Sequence, residues 1–216
     1  MPEVALDQVD RAWAALVAAN PRYFDGPILH VLGTSRNGHG GVTIHVAETS
    51  YRFYAVQRPG VAGGLDCGVR PLGAKAICRL ADGSTHGGPR FLMARRSQSV
   101  AFYPGEWEFA PGGGLEPGDE PASCVLRELR EETDVEAVGT PIAVALLYDP
   151  GALSWEVVHR LDVRPSAQAD AIHAWEHAER TVVEQGAWPE PLCRVARAMI
   201  DLIPPASSPP SPRPSR

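Results

Sequence analysis

Three glutamates, Glu128, Glu131 and Glu132, stand close together in the segment GGGLEPGDEPASCVLRELREETDV, residues 112–135. On a helix, the spacing i, i+3, i+4 puts them on one face, where like charges repel by about 0.2–0.5 kcal/mol per pair. A solvated acidic face tolerates that cost. The alternative is a cation held between them, because three carboxylates offer the hard oxygen donors that suit Mg²⁺ or Mn²⁺. The glycines just ahead carry no Cβ, so their backbone carbonyls and amides can come close to a ligand. A loop that brings phosphate to an acidic, metal-loaded helix would suit hydrolysis of a phosphoanhydride.

The rest of the segment supports the helix. Over residues 120–133, Pro121 fits the first turn and Asp119 or Glu120 can cap the free amides. Ala122, Val125, Leu126, Leu129 and Thr133 follow the helical repeat and predict a buried stripe beside the glutamate face.

Gly113, five residues, Asp119, seven residues, and then Arg127-Glu128-Leu129-Arg130-Glu131-Glu132-Thr133-Asp134-Val135 together resemble the Nudix box, G-x5-E-x7-R-E-U-x-E-E-x-G-U, where U is a bulky aliphatic residue. Two positions depart from it. Asp119 stands where the family has Glu, which puts in doubt the bridge from this acid to the box arginine. Asp134 stands where the family has Gly, and is expected to need a left-handed backbone at the helix end, which Asp tolerates. The resemblance implies, over residues 70–203, an α/β fold: an α/β/α sandwich with a mixed central sheet. It implies Glu128 and Glu132 as metal ligands, with Glu131 as a further ligand or water-activating group. It also implies Arg127 orienting a box carboxylate and the Gly112 carbonyl as an additional ligand. The implied cofactor is Mg²⁺, with Mn²⁺ as the alternative, and the implied substrate is a small-molecule nucleoside diphosphate derivative. Glu156 and Glu176 compete with Glu131 as catalytic base, and a homodimer stays open.

For the substrate phosphates, Arg95 and Arg96 at a strand end are the candidate cations. Tyr103, Trp107, Tyr148 and Trp155 could stack on a base, or simply pack. The segment N-P-R-Y-F-D-G-P (20–27) and the pair Glu176-His177 are similar to Nudix members acting on UDP-glucose and UDP-galactose. The first expectation is therefore a UDP-sugar cleaved to UMP and a sugar 1-phosphate. ADP-ribose, an ADP-sugar or another nucleotide is the second. A non-catalytic nucleotide-binding regulator is the third, and the intact R-E-L-x-E-E core argues against it. His173-x-x-Glu176-His177 matches a zinc-peptidase pattern, but it stands without a helical context or a third ligand and reads as a surface helix.

These residues need a scaffold, and the chain supplies one. With 216 residues and 44% hydrophobic content it can bury a core, and a net charge of −6 argues against nucleic-acid and anionic-membrane binding. Cys67, Cys78, Cys124 and Cys193 lack metal or disulfide spacing and read as free thiols. The absence of a signal peptide or membrane span in the sequence suggests the cytoplasm. Residues 1–69 read as an extension packed on the domain: a helix over 4–19, then strands over 28–33, 41–48 and 51–57, the last two forming a hairpin through Thr49-Ser50. Strands follow at 73–80, 90–97, 106–110, 144–149, 155–163 and 179–184, with a short helix near 166–176 and a closing helix near 190–203. Residues 204–216 are Pro/Ser-rich and read as a disordered tail.

Overall fold

A computed structural model describes residues 5–58, 65–81, 88–166 and 175–205. The extension comprises α1 (Leu6–Ala19), the antiparallel pair β1 (Pro27–Arg36) and β2 (Val42–Ser50), and α2 (Tyr51–Ala55). The main body contains β3 (Leu72–Leu80), β4 (Arg90–Arg96), β5 (Trp107–Phe109), β6 (Gly112–Gly114), α3 (Pro121–Glu132), β7 (Val135–Asp149), β8 (Ser154–Pro165), β9 (His177–Glu184) and α4 (Arg194–Ile200). Strands β3 to β9 form a seven-stranded mixed sheet along β5-β4-β3-β8-β7, with β6 on β3 and β9 on β4. Among the described strands, β3 and β8 pair in parallel and the other pairs of this sheet are antiparallel.

Alternation along β3 separates two cores. Ala74, Ala76 and Cys78 face Cys124, Val125 and Leu129 of α3. Ile77 turns the other way and packs with Met93, Phe109 and Val158 against Val195, Ala196 and Met199 of α4. The small side chains on the first face let α3 lie close to the sheet, with Glu128 and Glu132 against Gly113 and Gly112 of β6. Pairing between β3 and β4 is confined to Arg79 opposite Phe91, and β6 takes up the same edge of β3 at Gly73, Ala74 and Lys75.

The extension is tied to this body by main-chain bonds, Leu29 N to Leu115 O at 3.3 Å and Val31 N to Arg70 O at 2.8 Å. The Tyr54 hydroxyl donates to Ala152 O at 2.6 Å. A third core of Val9, Ala12, Tyr54, Val56 and Val69 fills the space between α1 and α2.

Several sequence expectations need correction. Residues 51–57 begin a short helix, not a strand, and β2 pairs with β1 instead, through a turn containing Gly38 and Gly40. Tyr51, Tyr54 and Ala55 recur at helical spacing, and burial of Tyr54 and Ala55 overrides the β-propensity of the aromatic run. Asp25 Oδ1 accepts the Arg52 amide at 2.9 Å, so a side chain from the loop before β1 satisfies a free amide at the start of this helix. The glycines 112–114 form an edge strand rather than a loop. Strand β7 begins at Val135 and its register breaks between Val138 and Ile142, whereas only 144–149 reads as strand in sequence. The closing helix is shorter than expected, Arg194–Ile200. Most of the helix expected near 166–176, with His173, lies outside the described residues, as do residues 206–216 of the tail. The four cysteines are free and buried. Among the described residues no helix is long and apolar enough to cross a membrane.

Candidate active site

Helix α3 starts with Pro121 and ends at Glu132, and Thr133, which follows, has an extended backbone at φ −131 and ψ 166. Its last carbonyl, Glu132 O, accepts from Arg180 Nη1 at 3.1 Å, and the Thr133 hydroxyl bonds Leu129 O. The helix therefore stops without a left-handed residue. Among the described residues, positive φ outside glycine occurs at Tyr103 and Leu153 and not at Asp134, which corrects the expectation for that position.

The three glutamates separate by environment. Glu132 is buried, 5% exposed, and its Oε2 accepts from the Gly112 amide at 3.3 Å. Burial first, then Glu128, Glu176 and Glu108, push its carboxyl up to about 8. Glu128 is pushed up to about 7, chiefly by burial, against the opposing pull of Arg127. Glu131 is exposed. Arg127 links the group: Nη1 lies 2.7 Å from Glu128 Oε1 and 3.8 Å from Glu131 Oε2, and Nη2 lies 3.6 Å from Asp119 Oδ2. The shorter Asp119 still lies within ion-pair distance of the arginine. Gly113 is required by Glu128, since a Cβ there would come within 2.8 Å of Glu128 Cγ and closer to its carboxylate. Gly112 is similarly crowded by Lys75, with Nζ at 2.8 Å from a built Cβ.

Across the β3–β4 gap lies a second charge cluster, which the sequence did not suggest. Glu108, 4% exposed, meets Lys75 Nζ at 2.8 Å, Arg96 Nη1 and His177 Nε2 at 3.1 Å. Burial would raise the Glu108 carboxyl, but Lys75, Arg96 and His177 hold it well below the usual carboxylate range. Lys75 is the single lysine of the chain, and Glu108 with Glu156 holds its ammonium protonated although the side chain is largely withdrawn from solvent. That rarity was the available signal; pairing across a strand gap was not readable in one dimension. His177 is thus the buried first residue of β9 and not part of a surface helix.

Two adjoining cavities share Tyr51, Tyr54, Arg96, Phe102 and Glu176. The smaller, about 240 Å³, is lined by Lys75, Glu108, Glu156 and the glycines of β6. Glu156 accepts from the Ser154 hydroxyl at 2.7 Å, and burial raises its carboxyl against the pull of Lys75. The larger, about 470 Å³, reaches Arg127 and Glu128. Of the two candidate phosphate cations, Arg96 lines both cavities, with Nε on Phe102 O at 2.8 Å. Arg95 points elsewhere, pairing with Glu179 at 3.2 Å on the surface and lying 6.0 Å from the Trp107 ring. Among the four aromatic candidates, Trp107 is core, Tyr148 and Trp155 pair at 5.1 Å, and Tyr103 lines the smaller cavity with its hydroxyl on Asp149.

Residues 71–187, more than half of the chain, match the family model for the NUDIX domain. The chain belongs to the Nudix family. It is a Nudix hydrolase, an enzyme of phosphoanhydride bonds in small-molecule nucleoside diphosphate derivatives, and Nudix hydrolases generally use divalent cations. Similar solved structures include a MutT protein from Methanosarcina mazei, at 25% identity and TM-score 0.40, covering 53% of this chain and 76% of that one. A MutT Nudix hydrolase from Burkholderia pseudomallei shows 18% identity and TM-score 0.48, with 62% of this chain and 97% of that one covered. The Ap4A hydrolase of C. elegans shows 18% identity and TM-score 0.39, covering 53% and 81%. No curated protein matches.

The side chains fit a divalent cation by their chemistry. Among the described residues no three acidic, histidine or cysteine side chains converge into a finished ligand set. Glu128, partly buried and paired with Arg127, and Glu132, buried with a backbone amide as its hydrogen-bond partner among the described residues, nevertheless form an acidic pair that a cation would compensate.

Proposed function

We propose that this Nudix hydrolase cleaves a UDP-sugar, UDP-glucose or UDP-galactose, to UMP and a sugar 1-phosphate with Mg²⁺. The observation that carries the hydrolytic reading is the acidic pair of partly buried Glu128 and buried Glu132, with Glu128 opening on a cavity whose lining includes Arg96. The uridine preference is supported by residues 20–27 and Glu176-His177. Glu128 and Glu132 would hold the metal, with Glu131 and the Gly112 carbonyl as further oxygen donors. Bound there, Mg²⁺ supplies charge neutralisation on the diphosphate and a more acidic water.

The chain's own groups do the rest. Arg127, at 2.7 Å, orients the Glu128 carboxylate. Arg96 presents positive charge to the diphosphate, and Lys75 is anchored on Glu108 behind it. Glu156, buried on the cavity wall with its proton affinity raised, is the candidate to accept a proton from water, with Glu131 and Glu176 as competitors. The cytoplasm is the proposed compartment.

The test is a panel of nucleoside diphosphate derivatives with Mg²⁺ and Mn²⁺, read by release of the nucleoside monophosphate. UMP release from a UDP-sugar is expected to be fastest, and to be lost in Glu128→Gln and Glu132→Gln. Faster turnover of ADP-ribose moves the substrate assignment, and binding without turnover across the whole panel supports a regulator.

A further inference from the structure

The lining of the larger cavity is of two kinds. Arg127 and Glu128 come from α3, and most of its aromatic rings come from the extension. Tyr23, Phe24 and Tyr51 precede residue 71, so they lie outside the segment matched to the family domain. The inner rings are fixed by one another. Tyr23 and Tyr51 stack at 6.5 Å with 24° between planes, and Tyr54 stacks on Phe102 at 5.7 Å. Arg58 is buried behind them, 5.2 Å from the Tyr23 ring and 5.8 Å from the Phe102 ring, and its Nη2 donates to the Tyr23 hydroxyl at 2.5 Å.

Two rings of this recess are left open. Phe24 is 79% exposed and Trp175 is 42% exposed, although both line the cavity. Arg22 lies 5.3 Å from the Trp175 ring and steadies it from one side. Exposing two large aromatics in one concave site costs apolar burial, and a flat aromatic ligand recovers it. The 470 Å³ volume lies within the usual range for small-molecule sites.

We propose that this recess binds the planar nucleobase of the substrate, stacked on Phe24 and Trp175, so that the extension makes the base subsite of the enzyme. The diphosphate then runs toward Arg96, Arg127 and Glu128, which line the same cavity. This rests on the hydrolase reading above and names where its base is held. The two are separable, because the substrate panel tests hydrolysis and equilibrium binding tests the recess.

The experiment is calorimetric titration of the full chain with UMP, AMP and ribose 5-phosphate, for wild type, Phe24→Ala, Trp175→Ala and the double variant. Both side chains are exposed, so the variants keep the fold, which circular dichroism checks. Stacking of one base predicts that wild type prefers a nucleotide over ribose 5-phosphate by roughly tenfold or more, and that the double variant loses this preference. Trp175→Phe retains most of it. Equal affinity of wild type for all three probes, or a preference that survives in the double variant, overturns the proposal. Should the panel show no hydrolysis while the preference is present and lost as described, the base subsite stands and the enzymatic reading falls.

Discussion

Glu108 and Glu132 are buried to nearly the same degree, 4% and 5% exposed, yet their carboxyls are driven in opposite directions. Burial opposes the charge of both. Around Glu108 it is outweighed by Lys75, Arg96 and His177; around Glu132 the neighbours are other carboxylates and one amide. The first cluster contains its own counter-charges and is a complete structural unit. The second has one partly exposed arginine, Arg127, on Glu128 and none on Glu132 among the described residues, and a carboxylate buried without a counter-charge is what a site for an external cation requires. Burial alone therefore does not tell a framework acid from a working one; the identity of its partners does.

Exchanging the two acids for neutral amides breaks this comparison most directly. Glu132→Gln is expected to lower kcat by about 10³-fold or more, since the several kcal/mol that a metal supplies to the transition state depend on its ligands. It is expected to leave the metal-free protein as stable as wild type, because no ion pair is lost. Steady-state kinetics and thermal melting on one preparation read both. Glu108→Gln should do the reverse in stability: it strands Lys75 and Arg96 in a buried site and costs about 3–5 kcal/mol of unfolding free energy, measured by urea titration. A Glu132→Gln protein that unfolds as readily as Glu108→Gln would remove the distinction.

How far the sequence revealed the two clusters follows from how local each one is. The acidic pair sits on one helix, so spacing alone grouped Glu128, Glu131 and Glu132, and the stripe through Val125 and Leu129 placed that helix on the sheet. What spacing could not give was depth: Glu131, one residue from Glu132, is exposed while Glu132 is buried. The Glu108 cluster draws on β3, β4, β5 and β9, and nothing in a linear string joins Lys75 to Glu108 or His177. The aromatic recess was hidden similarly, because Tyr51 belongs to a helix that reads as a strand, and its stacking on Tyr23 joins segments on either side of the β1–β2 pair. Strand positions themselves were largely visible as β-branched and aromatic runs, whereas β6, made of glycine alone, carried no such signal.

Two further changes sharpen the contrast from the side of the acidic pair. Gly113→Ala places a methyl group against Glu128 Cγ and must turn that side chain aside. A displacement on the order of 1 Å costs roughly 10²-fold in rate, so kcat should fall by about that factor. Ten millimolar Mg²⁺ should raise the melting temperature of the wild type by about 5–10 °C, following about 2.7 kcal/mol at a hundredfold excess over Kd. Glu128→Gln and Glu132→Gln should lose that shift, and Glu108→Gln, though less stable, should retain it. A shift of equal size in all four proteins would place the cation elsewhere.

The smallest expected effect separates two adjacent arginines. Arg96 lines both cavities and meets Glu108, whereas Arg95 pairs with Glu179 at the surface, both partners being about half exposed. A surface ion pair of this kind contributes about 0–1 kcal/mol. Arg95→Ala should therefore leave kcat and KM within roughly twofold of wild type, since 0.4 kcal/mol corresponds to about a factor of two. Arg96→Ala removes both a cavity cation and one of the counter-charges of Glu108, so it should raise KM and lower stability together. If Arg95→Ala raised KM as much as Arg96→Ala, the phosphates would have to lie on the Glu179 side of β4, and the cavity shared by Arg96 and Glu128 could not be where the diphosphate is held.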